Sequence, residues 1–423
     1  MNGCFASLWC ICVLLHAADV RAQTTQAASL QTLEPLPDPL TLDAVRHYAR
    51  EHRAEIAASR ARADAEAQRP AVVSAPDDPV LIPTLGHLPF SFRGVDASFT
   101  IEQRFPLSGL LGNRRKAAEA NARKLSVEVS RARLDVELDA SLAFFMLNER
   151  RQLRRVLESQ QALSKQFVAA ATARYSSGTG GQAEVIRAET DVARLDGELR
   201  AIVSEIGAAE AMLNTALNRP SDSPLPRLSA ITLLEGPPGA EQAKETSLRE
   251  RPELSAGTLE IQRAETEISA TRSMYAPMAM VRTGPGYTMS DGFGWMLMIG
   301  ISVPIWVPRN RAGIAEAEAM AQMARADLQA QRRLVEGEVA TARQLILAAR
   351  ARFLALRDNV VPRAESAIAP ALAAYAAGTL PLVSVLDAAR TLFSAQADLV
   401  MAELELGSAW SRFARALGTE RAR

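Results

Sequence analysis

The six residues Ala173-Arg174-Tyr175-Ser176-Ser177-Gly178 recur 200 positions later as Ala373-Ala374-Tyr375-Ala376-Ala377-Gly378. The likeness extends on both sides. Val185-Ile186 and Ala188 correspond to Val385-Leu386 and Ala388, and Ala216-Leu217 to Ala416-Leu417. Upstream, Pro106-Leu107 with Asn113-Arg114 corresponds to Pro304-Ile305 with Asn310-Arg311. Arg53, Glu55 and Ile56 correspond to Arg251, Glu253 and Leu254. Chance similarity between alanine-rich helices does not keep the same order and a near-constant offset over separate blocks. The chain therefore reads as one structural unit written twice, and a fold must be sought for the unit and its copy together.

Each copy has the same expected plan. A shorter helix (41–69; 244–274) leads into a pair of strands. A very long helix follows (110–175; 310–376), and a glycine turn returns the chain into a helix of middle length (182–218; 382–418). The boundaries this implies are residues 1–22 as a leader, 23–218 as the first repeat, 219–240 as a Pro/Gly/Ser-rich linker and 241–423 as the second repeat. In the second long helix, Ile314, Ala317, Ala321, Ala324, Leu328, Val335, Val339, Ala342, Ile346, Ala349, Phe353, Leu356 and Val360 fall at alternating steps of three and four. Gln331 fills the one gap. That is a sustained heptad seam. A helix of about 65 residues is a rod of roughly 100 Å, too long for the interior of a globule of this mass. Leu134, Leu138, Leu142 and Phe145 set a less regular seam in the first copy. A shorter plus a middle-length helix roughly equals one long helix, so the short pair is expected to stack end to end beside the rod.

Within the leader, Phe5 to Ala18 is apolar and Val20-Arg21-Ala22 is a small-residue cleavage pattern, the signature of a secretory signal. The three cysteines, Cys4, Cys10 and Cys12, all lie inside it, so no disulfide, thiolate ligand or cysteine nucleophile is expected in the mature chain. The 48 basic and 48 acidic residues balance, which gives no basic surplus for nucleic acid. His47, His52 and His87 lack metal-ligand spacing, and no phosphate loop, paired carboxylates or nucleophile triad is present. No catalytic residue and no cofactor is expected.

No run of about 18 apolar residues follows the leader, but strands of about 10 alternating residues do. Val95, Ala97, Phe99, Ile101 and Phe105 share one face; Asp96, Ser98, Thr100, Glu102 and Arg104 share the other. Trp295, Leu297, Ile299, Ile301 and Val303 repeat the pattern, with Met296, Met298, Gly300 and Ser302 opposite. A partner strand over 278–287 carries Arg282 on the face of Met278 and Met280, which should turn away from lipid. Gly284-Pro285-Gly286 is expected to bend this strand and Ser290-Asp291-Gly292 to close the hairpin. The first copy's partner strand lies within 71–92. Four strands cannot close a barrel, and an open sheet in a bilayer leaves backbone groups unpaired, so the strands imply sharing between copies of the chain.

With these features in place, the chain resembles the TolC-type outer-membrane efflux family. Pro362-Arg363-Ala364-Glu365, Ala373 to Thr379 with its Tyr-x-x-Gly, and Val385-Leu386-Asp387-Ala388 look like the family's hairpin tip; Val303-Pro304-Ile305-Trp306 with Asn310-Arg311 looks like its strand-to-helix junction. Pattern and length are most similar to the CzcC-type heavy-metal branch. The resemblance implies a mainly α fold with a small β part. Two tandem repeats would supply long coiled-coil helices to an α-barrel and four strands to a twelve-stranded, trimeric transmembrane β-barrel. It also implies a homotrimer in outer-membrane lipid, with a long periplasmic extension, a periplasmic adaptor and an inner-membrane pump of the RND or another type. The cargo would be metal cations, drugs or protein. A water-soluble periplasmic coiled-coil adaptor or scaffold is the rival reading; it accounts for the heptads but not for the two hairpins.

The resemblance places Gly178, Gly378, Tyr175 and Tyr375 at adaptor-docking tips, where the glycines also serve as left-handed helix caps. Asp387 and Glu184 fall at the tunnel entrance, where a ring of carboxylates would favour cations. Ser384 and Arg187 weaken that ring. Glu102, Arg104 and Arg282 are expected on the inner face of the strands. Pro362 and Pro370 should bend the second rod. Met274, Met278, Met280, Met289, Met296 and Met298 cluster around the second hairpin. Thioethers bind Cu(I), though methionine is also an ordinary filler of apolar strands.

Overall fold

In a computed structural model, residues 35–86, 96–230, 236–288 and 290–419 are described. The leader, His87 and Met289 lie outside them. From Pro37 onward the chain forms one unit. Its order is α1 (Leu42–His52), α2 (Ala54–Ser74), β1 (Val80–Gly86), β2 (Asp96–Pro106), α3 (Leu110–Ser176), α4 (Gln182–Ala216), α5 (Ala240–Glu250), α6 (Pro252–Met274), β3 (Met278–Thr288), β4 (Gly292–Ser302), α7 (Val307–Ala355), α8 (Val361–Ala376) and α9 (Leu382–Leu417). Among the described residues, no helix is long and apolar enough to cross a membrane.

The 67 residues of α3 are unbroken because no proline interrupts them. At 1.5 Å per residue the helix is about 100 Å long. Both α2 and α4 lie along it, and α6 and α9 lie along α7. The two halves join where α6 and α9 also pack on α3. With neighbours on so many sides, α3 buries more than its expected seam. Val136, Ala140, Ala143, Phe144 and Leu147 are buried beside Leu134 and Phe145, whereas Leu138 and Leu142 are only half-buried. In α7 the buried stripe is Ala321, Ala324, Leu328, Val335, Val339, Ile346 and Ala349.

Two expectations need correction. The helices expected over 41–69 and 244–274 are each two helices, broken at Arg53 and Arg251, whose backbones are extended. A proline disfavours helix at the residue before it, so Pro252 explains the second break. Each break serves a purpose. The Arg53 guanidinium donates to the Ala216 carbonyl at 3.1 Å, and Arg251 to the Arg415 carbonyl at 3.4 Å. Each arginine thus satisfies a last-turn acceptor of a return helix. The second long helix is also not one α-helix. Residues Leu356–Val360 form a π-turn, in which the Val361 N–H reaches back to the Leu356 carbonyl. Pro362 has no N–H to give and its ring crowds the carbonyl four residues back; one extra residue in the turn relieves both. The turn also shifts the phase, so Val361 is buried in place of Val360, which is 43% exposed.

The strands form one antiparallel sheet in the order β1-β2-β3-β4. The first copy's partner strand is Val80–Gly86; Pro83 is tolerated because β1 is an edge strand of this chain. Thr283 pairs with Ile101 and Gly286 with Ser98, but the ladder skips the positions between them. A Cβ on Gly284 would lie 2.1 Å from the Phe99 carbonyl oxygen. Only glycine allows β2 and β3 to approach this closely.

Candidate functional site

Two regions carry chemistry, the hairpin tips and the sheet. At the tips, α3 and α8 each end on a glycine in the left-handed region, Gly178 with φ +72° and Gly378 with φ +78°. The Thr179 N–H bonds the Arg174 carbonyl at 2.9 Å, and the Thr379 N–H bonds the Ala374 carbonyl at 3.0 Å. The two turns are built alike; their surroundings are not. Tyr375 is fully buried, whereas Tyr175 is 49% exposed. The Tyr375 hydroxyl donates to Glu184 at 3.0 Å. The Arg174 guanidinium lies 4.6 Å from the Tyr375 ring centroid and donates to the Tyr375 carbonyl at 2.8 Å. Burial first, then the hydrogen bond and charge of Glu184, push the Tyr375 phenol up to about 12. Two turns further along, Arg390 donates to Asp191 at 3.0 Å.

The structure thus unites Tyr375 with Glu184 and leaves Tyr175 and Asp387 at the surface. Sequence reasoning missed Arg174, Asp191 and Arg390. One signal was available: the repeat aligns the charged Arg174 with Ala374. A groove of roughly 550 Å³ runs between α4 and α9 here, lined by Ile186, Arg187, Asp191, Val383, Leu386 and Arg390.

The sheet inverts the usual burial pattern. Thr100 and Glu102 are 2% and 5% exposed, while Phe293, Trp295 and Ile299 are 88%, 72% and 69% exposed. Glu102 is covered because Arg282, its register partner on β3, donates to one carboxylate oxygen and Arg104 to the other at 3.2 Å. On the same side, Met280 faces Gly300, Met298 faces Arg282 and Met296 faces Gly284. The Met280 methyl lies over Gly300, at 3.0 Å from where a Cβ would be. Met296 and Met298 are 40% and 43% exposed. On the outer face, the Trp295 indole N–H donates to the Thr283 hydroxyl at 2.7 Å, and Tyr287 packs on Phe293 at 5.1 Å. Among the described residues, no three His, Cys, Asp or Glu side chains are grouped to hold a metal ion.

Comparison with known proteins follows this geometry. Residues 244–419 match the family described as outer membrane efflux protein. The outer membrane efflux protein BepC of Brucella suis is 25% identical over 62% of this chain, and the match spans 59% of BepC. The cobalt-zinc-cadmium resistance protein CzcC of Cupriavidus metallidurans is 23% identical over 70% of this chain and 71% of its own. Among solved structures, the outer membrane protein VceC of Vibrio cholerae is 18% identical. It superimposes with a TM-score of 0.75 over 89% of this chain and 96% of its own. The outer-membrane channel OprN, also 18% identical, gives 0.77 over 90% and 91%. These structures share the fold of mainly helical chains with a small β part.

Proposed function

The chain belongs to the TolC-like outer-membrane efflux protein family, and from that premise we propose that it is one subunit of a homotrimeric export duct. Its four strands take a third of a closed barrel in the outer membrane, and its helices a third of a periplasmic tunnel. The observation that carries this reading is the inverted sheet. Aromatic and branched side chains face outward and an ion-paired carboxylate faces inward, as lipid outside and water inside require. β1 and β4 are the sheet's two edges. Pairing β4 of one copy with β1 of the next satisfies the backbone groups that an open edge would leave bare in a bilayer.

On this reading Glu102, Arg104 and Arg282 line the lumen. The tips around Gly178 and Gly378, with the groove between α4 and α9, meet a periplasmic adaptor that couples the duct to an inner-membrane pump. The match to CzcC over 70% of the chain supports heavy-metal cations as cargo. The test is deletion of the chain from its host. Cells should lose tolerance to zinc, cobalt or cadmium and regain it with the chain restored. Lost tolerance to organic solvent alone would keep the duct and replace the cargo. Unchanged tolerance to both, with the chain found outside the outer membrane, would overturn the reading.

A further inference from the structure

The register of the sheet brings its strand-to-helix junctions to one level. Pro106 of β2 pairs with Met278 of β3, and Met278 with Ser302 of β4. The Leu107 N–H donates to the Pro277 carbonyl at 3.3 Å, and the Gln103 amide to the Asp77 carbonyl at 2.6 Å. The surface changes character within a few residues of this level. Leu107 and Ile305 carry on the outward alternation of β2 and β4, and they are 60% and 68% exposed. Trp306 beside them is 65% exposed. Then come Arg114, Arg115 and Lys116 of α3 and Arg309 and Arg311 of α7, all at the surface.

The charge of this collar is not balanced. The junction segments 75–79, 107–118, 273–277 and 303–315 hold five cations against two carboxylates, Asp77 and Asp78. Arg272, just beyond, is paired with Glu318. The first carboxylates on α3 and α7 are Glu119 and Glu316, and Glu119 accepts from Arg115 at 2.9 Å. Among the described residues, no carboxylate pairs with Arg114, Lys116 or Arg311, and Arg309 lies 5.9 Å from the Tyr275 ring centroid. Both copies of the repeat keep the pattern: Leu107 with Arg114 in the first corresponds to Ile305 with Arg311 in the second. The far end of the second hairpin differs, for Thr283 to Trp295 includes Asp291 and no lysine or arginine. An apolar band bordered on one side by unpaired guanidinium groups matches a bilayer leaflet, whose acyl chains end at phosphate. Guanidinium groups bind phosphate oxygens through paired N–H bonds.

We propose that this collar binds anionic glycerophospholipids of the periplasmic leaflet. Arg114, Lys116, Arg309 and Arg311 take the headgroup phosphates, and Leu107, Ile305 and Trp306 lie against the first carbons of the acyl chains. This rests on the membrane-duct reading above. A headgroup of net negative charge is favoured over a zwitterionic one because the surplus of cations is not neutralised within the chain. The collar also fixes the depth of the duct. Sliding outward would carry cations into hydrocarbon, and sliding inward would leave Leu107, Ile305 and Trp306 in water.

The test uses the full chain in detergent, incubated with equal amounts of phosphatidylglycerol and phosphatidylcholine of the same acyl chains. Mass spectrometry of the lipid retained after gel filtration gives the ratio of the two. In dilute potassium chloride the parent should retain phosphatidylglycerol several-fold above the input ratio. Half-molar salt should shrink that enrichment by screening, a reading that needs no variant. Arg309→Gln with Arg311→Gln should lower the enrichment, and adding Arg114→Gln with Lys116→Gln should return it to the input ratio. Arg155→Gln with Arg200→Gln removes two exposed charges away from the collar; Arg155 lies roughly 60 Å along α3 from Lys116. That pair should leave the parent ratio unchanged. Retention of both lipids at the input ratio by the parent would overturn the proposal. So would an enrichment that survives the four substitutions, or one that falls equally with Arg155→Gln and Arg200→Gln. Particles that hold neither lipid and stay dispersed without detergent would instead overturn the membrane reading itself.

Discussion

The Phe145 ring lies flat against Gly407, so close that a Cβ on Gly407 would sit 2.2 Å from a ring carbon. This contact joins α3 to α9, and with it the two halves of the chain. A methyl group here forces the ring off its site, at a cost of about 1–3 kcal/mol, against which alanine's better helix propensity returns about 1 kcal/mol. Gly407→Ala should therefore lower the thermal midpoint of the purified protein. Gly197→Ala, at a helix position with open space around it, should leave the midpoint unchanged or raise it.

Arg415 bridges the halves by charge. It donates to Asp135 and to Glu253, each at 2.6 Å. Burial alone would push the Glu253 carboxyl up, but the hydrogen bond and charge of Arg415, with Arg251 nearby, overcome it and hold the group below its ordinary value. A depressed carboxyl contributes stability that is present above its unfolded pKa and is lost as pH falls through the folded one. Unfolding midpoints should therefore drop in acid, below the ordinary carboxylate range, and Glu253→Gln should flatten that drop. Arg415→Met removes both 2.6 Å hydrogen bonds and leaves Glu253 and Asp135 only the longer contacts of Arg251 and Arg131; it should cost about 1–3 kcal/mol at neutral pH.

The two faces of β4 should respond oppositely to charge. An arginine facing lipid at mid-depth costs about 2–4 kcal/mol, so Ile299→Arg should prevent stable insertion into the outer membrane. Met296→Arg, on the inward face opposite Gly284, should insert normally. Membrane fractionation of the two variants reads the difference. Normal insertion of Ile299→Arg would reverse the assigned faces.

At the tip, Tyr375→Phe keeps the ring under Arg174 and removes the hydrogen bond to Glu184, a loss of roughly 1–2 kcal/mol. Because the folded phenol is pushed up to about 12, its contribution is complete below the ordinary tyrosine value near 10 and lost as pH rises through the folded one. Proteolysis at the tip should accelerate over that alkaline range in the parent chain. Tyr375→Phe should be cleaved faster at neutral pH and show no such rise.

Much of this fold was legible because periodicity carries it. Strand alternation from Ala97 to Phe105 and from Trp295 to Ile301 assigned the faces, and the alanine and valine steps from Ala321 to Ala349 marked the stripe that α7 buries. The break at Arg251 was missed although Pro252 follows it and signals it, and the repeat would then have pointed to Arg53. The π-turn at Leu356–Val360 was only half legible: Pro362 signals a disturbance, but whether a helix kinks or absorbs a residue depends on packing around it. The pairing of Tyr375 with Glu184 lies beyond periodicity altogether. The two residues are separated in sequence by most of a repeat, and their meeting depends on how the two hairpins lean together.

The most direct test of a shared sheet is the number of chains per particle after extraction of the protein from outer membranes, read by light scattering with the detergent mass subtracted. Three chains is the expected result, falling to one when the β1 or β4 edge is blocked. A single chain that stays dispersed in buffer without detergent would contradict it.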